Sequence, residues 1–129
     1  MPEAAGCVLA FDYGLKHIGV AVGQTITRTA SPLTTIAARN GRPEWSHVDR
    51  LVDEWQPSSI LVGLPLNMDD TESEMSERAR AFAHQLSRRT GLEVILVDER
   101  LTSYASRHTD DSHSAAAALI AETWLNGDR

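Results

Sequence analysis

Asp12 and Glu99 are the residues best suited by type and context to do chemistry. Val8-Leu9-Ala10-Phe11-Asp12 is a short apolar run that ends on a carboxylate. Val94-Ile95-Leu96-Val97 runs in the same way into Asp98-Glu99-Arg100. A carboxylate beside a buried strand is costly unless it is paired or binds a cation. Two strands that each deliver an acid at the carboxyl end point to a metal-dependent site on one edge of a sheet. With a third acidic or histidine ligand they make an oxygen-rich cradle for Mg2+ or Mn2+. Such an ion holds a scissile phosphate, lowers the pKa of an attacking water and stabilises the leaving oxygen. Without a metal the same carboxylates would serve as general acid and base, and would repel an anionic phosphodiester. Each acid also has a plainer reading: Asp12 as a turn former before Gly14, Glu99 as a partner of Arg100 or a helix cap.

Distant parts of the chain must bring these acids together. The first strand is expected over Cys7 to Asp12, with Gly14 in a tight turn. Ile18 to Gly23 is the second strand, and its glycines predict close backbone approach. Thr27 to Leu33 is the third, with Pro32 at an edge or end; the close spacing favours an antiparallel meander. Val48, Leu51, Val52 and Trp55 then follow the stripe of an amphipathic helix, started near Pro43 and Glu44 and ended before Pro57. Ser59 to Gly63 is wholly apolar, as in a sheet covered on both faces. After a loop from Gly63 to Thr71, a second helix carries Met75, Ala79, Phe82, Ala83 and Leu86 and stops at Gly91. Glu93 to Val97 is the fifth strand. A short helical turn is expected over Thr102 to Arg107, and a last helix over Ser112 to Asn126, stopped by Gly127.

This pattern predicts one α/β domain over residues 1–129. Its five-stranded mixed sheet has three antiparallel strands, then parallel βα units, with helices on both faces. Right-handed crossovers keep the later strands parallel, and ligands of open α/β sheets bind at the carboxyl edge. Asp12 and Glu99 meet there if the first strand is parallel to the fourth and fifth.

The 129 residues suit one compact core. No apolar run is long enough to span a membrane, and no secretory signal is expected at the N-terminus. Cys7 is the single cysteine, so no internal disulfide forms; its apolar strand predicts a buried, inert thiol. These features predict a cytoplasmic protein with no membrane partner. The formal net charge of -6 argues against a non-specific nucleic-acid coat. It does not argue against a nuclease, whose bound cations supply the positive field.

Three motifs carry a resemblance. Asp12-Tyr13-Gly14-Leu15-Lys16-His17-Ile18-Gly19-Val20-Ala21 is similar to the opening motif of the YqgF/RuvX family of RNase H-like nucleases. Val62-Gly63-Leu64-Pro65-Leu66-Asn67-Met68-Asp69 and Asp98-Glu99-Arg100-Leu101-Thr102 match in the same order, and Glu122-Thr123-Trp124-Leu125 fits the tail. The resemblance implies an RNase H-like fold and processing of the 5′ end of precursor 16S rRNA. A Holliday-junction resolvase role is the family's alternative, by analogy with RuvC relatives. Asp12 and Glu99 take the positions of two catalytic acids. Two departures stand out. Asp70 replaces the family's usual glycine, which stiffens the loop if that position needs positive φ. Only His108-Thr109-Asp110-Asp111 separate Arg107 from Ser112, where the family has a longer, often basic loop.

The family's third acid opens the last helix. Alignment from the left gives Asp111, and alignment back from Glu122-Thr123-Trp124-Leu125 gives His113. At 100° per residue, His113 lies within about 20° of Ile120 on the buried face, whereas Asp111 reaches the site only from an N-cap position. Both stay open as metal ligands; a histidine suits Mn2+ better than Mg2+. Lys16, Arg100 and Arg107 near the same edge could contact phosphates, and Asn67 could position a substrate. Arg88-Arg89 reads as dipole compensation at a helix end, and Trp45, Trp55 and Trp124 as helix packing.

Structured RNA, as precursor rRNA, or branched DNA is therefore the expected partner. Asp12-x-Gly14 also resembles the first phosphate motif of actin-like ATPases, but those need two such domains. A non-catalytic module on ribosomal precursors or the transcription machinery is the remaining reading. A monomer or weak homodimer is expected, the latter through an open sheet edge near Thr27 to Leu33.

Overall fold

In a computed structural model that describes residues 6–65, 73–98 and 112–127, those residues form six strands and three helices. The elements are β1 (Cys7–Asp12), β2 (His17–Gln24), β3 (Thr29–Arg39), β4 (Arg42–Pro43), α1 (Trp45–Trp55), β5 (Ser59–Leu64), α2 (Glu74–Thr90), β6 (Val94–Asp98) and α3 (Ser112–Asn126). The sheet order is β4-β3-β2-β1-β5-β6. β1 is antiparallel to β2 and parallel to β5, and β5 is parallel to β6. The expected mixed topology holds, and β1 shares its carboxyl edge with β5 and β6.

The strand count is six rather than five. Asn40 and Gly41, both at positive φ (53° and 85°), fold the chain back so that Arg42 and Pro43 pair with Arg39 and Ala38. Two residues are too few to show an alternating pattern. β3 also runs six residues past Leu33. The ladder shifts register there, with Val20 opposite Thr34 and Ala21 opposite Pro32. A bulge of this kind tolerates a residue with no N–H, so Pro32 interrupts β3 without ending it. The helical turn expected over 102–107 lies outside the described residues.

Alternation along the strands divides the core. Leu9, Phe11, Ile18, Val20, Val22, Ile60 and Val62 face α1 and α2, against Val48, Leu51, Ala79, Phe82 and Leu86. Val8, Ala10, Leu61 and Val97 face α3, against Ile120 and Ala121, and Ala21 meets Ala117 and Ala118. β1 and β5 are buried on both faces, as central strands of a covered sheet must be.

Local signals fix the helix ends. Ser73 caps α2: its Oγ accepts from the Ser76 amide at 3.0 Å, and Ser76 Oγ accepts from the Ser73 amide at 2.8 Å. Gly91 ends α2 at φ 74° with its amide donating to the Ser87 carbonyl, a left-handed stop that glycine adopts at little cost. Cys7 is buried as expected; its Sγ lies 3.4 Å from the Trp55 carbonyl, and burial pushes the thiol pKa up. Trp45, Trp55 and Trp124 all pack partly buried against the core clusters. Among the described residues, no helix is long and apolar enough to cross a membrane.

Candidate active site

Asp12 is the last residue of β1 and is half-buried. It stands opposite Gly19 in the β1–β2 ladder. Paired residues of an antiparallel ladder share a face, with Cα atoms about 5 Å apart. Asp12 therefore belongs, with Val8 and Ala10, to the face that α3 covers.

The first turn of α3 comes down on this spot. A Cβ on Gly19 would collide with the His113 carbonyl group and stand 2.8 Å from the Ser114 amide nitrogen. Only a glycine lets the helix backbone lie directly on β2 here. The close approach expected from the glycines of β2 is thus real, and it also holds at Gly23, where a Cβ would stand 3.1 Å from Leu125 and 3.4 Å from Ala121. The amino-terminal end of a helix carries a partial positive charge that favours a nearby carboxylate. The sequence reading that His113 faces the sheet agrees with this packing.

The His113 ring stacks on His17, with centroids 4.7 Å apart and planes at 26°. The sequence reading gave His17 no role. The signal was available: period-2 alternation from Gly19, Ala21 and Gly23 puts His17 on the α3 face.

The turn that follows Asp12 is braced from β3 and from the turn between β3 and β4. Lys16 accepts at its carbonyl from the Ala38 amide (2.9 Å), and Leu15 from the Gly41 amide (2.8 Å). The Tyr13 hydroxyl donates to the Gly41 carbonyl at 2.8 Å. On the opposite face, Phe82 meets Phe11, Tyr13 and Trp45 with ring centroids 5.8, 5.0 and 6.0 Å apart. This aromatic group fixes β1 to α2 just beneath Asp12.

Of the residues singled out in the sequence, the structure brings together Asp12 and His113 through Gly19. Lys16 is exposed in the adjoining turn. Asn67, Glu99, Arg100, Arg107 and Asp111 lie outside the described residues. Among the described residues, no group of three acidic, histidine or cysteine side chains is arranged to hold a metal ion.

Residues 6–127 match the family RuvX, described as Holliday junction resolvase. The chain belongs to the RuvX family. A relative from Escherichia coli O7:K1, named "Putative pre-16S rRNA nuclease", is 55% identical over 133 positions, covering 94% of this chain and 96% of its own. A relative of the same name from Cronobacter sakazakii is 53% identical over 103 residues, covering 80% of this chain and 75% of its own. The 133 aligned positions outnumber the chain's 129 residues, so the Escherichia coli protein has residues with no counterpart here. In three dimensions, this RuvX chain is similar to Thermus thermophilus RuvC in complex with a Holliday junction substrate. The TM-score is 0.55 at 15% identity, over 92% of both chains. That likeness establishes a RuvC-like, RNase H-type architecture.

Proposed function

We propose that this chain is a divalent-metal-dependent nuclease of one domain that processes the 5′ end of precursor 16S rRNA in the cytoplasm. The observation that carries the reading is the position of Asp12 at the carboxyl edge of the central strand, under the first turn of α3. The nuclease names of its close RuvX relatives support the same activity.

The donor set suits a hard cation. Asp12 supplies a carboxylate at the edge, and Glu99 follows directly on β6, whose Ile95 and Val97 face α3. The proposed ligands of Mg2+ or Mn2+ are Asp12 and Glu99, completed by Asp111 or His113. The bound ion supplies charge for a scissile phosphate and an acidified water. In this reading Asp12 orients the water through its carboxylate. His17 holds the His113 ring in place. Lys16, Arg100 and Arg107 receive phosphates, and Asn67 positions the strand.

The experiment is cleavage of a precursor 16S leader with Mg2+, with Mn2+ and with EDTA, beside a four-way DNA junction. Cleavage of the RNA alone, abolished by EDTA, is the expected result. The family description and the RuvC-like architecture favour Holliday-junction resolution as a second reading, which cleavage of the junction alone would support. Tight RNA binding without cleavage would mark a non-catalytic module.

A further inference from the structure

The exposed face of α2 carries a cationic strip that the proposed chemistry does not use. Arg78, Gln85 and Arg89 are spaced so that they fall within about 40° of one another around the helix. Arg78 and Arg89 are about 16 Å apart along it. Two adjoining depressions share Gln85. One, of about 310 Å³, is bordered by Tyr13, Asn40, Arg42 and Arg78. The other, of about 340 Å³, is bordered by Trp45, Arg88 and Arg89.

Four of the chain's 12 lysines and arginines gather here, on a protein whose net charge is -6. They are not equivalent. Arg89 makes a two-pronged pair with Asp49, both bonds 2.8 Å, and that bond holds the Asp49 carboxyl below its usual range. Its guanidinium also lies 4.9 Å from the Trp45 ring centroid. It is a structural clamp, and it covers a face of Trp45 that a base would need for stacking. Among the described residues, Arg78 has only a long ion pair with Glu74, 3.8 Å with both side chains exposed, worth little in water. Arg42 and Arg88 are exposed and make no ion pair among the described residues. Cations without a stacking platform suit a phosphate backbone rather than bases. The strip starts at Tyr13, the residue after Asp12 but on the other face of the sheet, so a strand leaving the carboxyl edge meets it on rounding that edge.

We propose that Arg42, Arg78 and Arg88 form a second, sequence-independent binding track for the phosphate backbone of the RNA, outside the cleavage site. The choice of RNA rests on the nuclease reading. The test measures binding by fluorescence anisotropy of a labelled RNA hairpin with a single-stranded arm, across a salt series. Arg42→Gln/Arg88→Gln is compared with wild type and with Arg28→Gln/Arg50→Gln, which removes two exposed arginines elsewhere. The track variant should lose about tenfold in affinity at low salt, and its dependence of log K on log salt should flatten by roughly 0.7 per arginine. The control double variant should bind like wild type, and Asp12→Asn should bind without cleaving. Wild-type affinity and salt slope in the track variant, or an equal loss in the control, would overturn the proposal. A DNA junction bound as tightly through the same two arginines would overturn the assignment to RNA. Track-dependent binding without cleavage would leave the track standing and remove the nuclease reading; cleavage indifferent to the track would do the reverse.

Discussion

The backbone of His113 rests directly on Gly19, with no room between them for a Cβ. Because Gly19 pairs with Asp12, this contact sets the distance between α3 and the carboxylate at the end of β1. The positioning of the site therefore depends on a residue that has no side chain.

Gly19→Ala is accordingly predicted to push α3 off the sheet. The overpacking cost is roughly 1–3 kcal/mol, because the obstacle is backbone and cannot rotate away. Chemical denaturation measures it. Gly91→Ala is the counterpart, since a Cβ there meets nothing within 4 Å. Its cost comes only from positive φ, about 1 kcal/mol. Nuclease activity should fall with Gly19→Ala and survive Gly91→Ala.

The His17–His113 stack gives a prediction of a different kind. His17→Ala should leave stability nearly unchanged, because His17 is exposed, yet lower the cleavage rate in Mn2+ by freeing the His113 ring. His17→Phe keeps an aromatic partner and should restore much of the rate. Equal activity in all three proteins would show that the stack does not serve the site.

Phe82 is the largest single stake in the core beneath Asp12. It is 2% exposed and touches three aromatic rings from β1, its following turn and α1. Phe82→Ala should cost about 3–5 kcal/mol, read as a lower denaturation midpoint. Phe82→Leu should retain most of that stability.

Burial of Cys7 makes a pH prediction. Its thiol pKa is raised by desolvation, so the neutral form is favoured in the folded state. Stability is unaffected below the ordinary thiol range. It declines as pH rises above that range, where the unfolded chain ionises and the folded chain does not. Cys7→Ala should remove this alkaline slope. A thiol reagent at neutral pH should modify wild type only as fast as it unfolds.

The boundaries of β1 and α3 were legible in the sequence, because an unbroken apolar run and a terminal glycine mark them. Pro32 misled in one respect: proline ends most strands, but here a bulge absorbs it and β3 continues to Arg39. β4 is a two-residue pairing made by the turn at Asn40 and Gly41, and no periodicity can announce it. Asp12 stood out as a carboxylate after a buried run. His17 did not, because its role depends on a residue 96 positions away. Arg88 and Arg89 read correctly as cations at a helix end, but their joining with Arg42 and Arg78 is a property of the folded surface.

The most direct test of the central claim, that Asp12 and Glu99 hold divalent ions on one edge, is a cleavage assay on the precursor 16S leader. Wild type, Asp12→Asn and Glu99→Gln are assayed in Mn2+, with RNA binding and melting followed in parallel. Wild type should cut, and both variants should fold and bind RNA while losing at least about a hundredfold in rate, on the order of 3 kcal/mol of barrier. Cleavage by either folded variant at the wild-type rate would contradict the account.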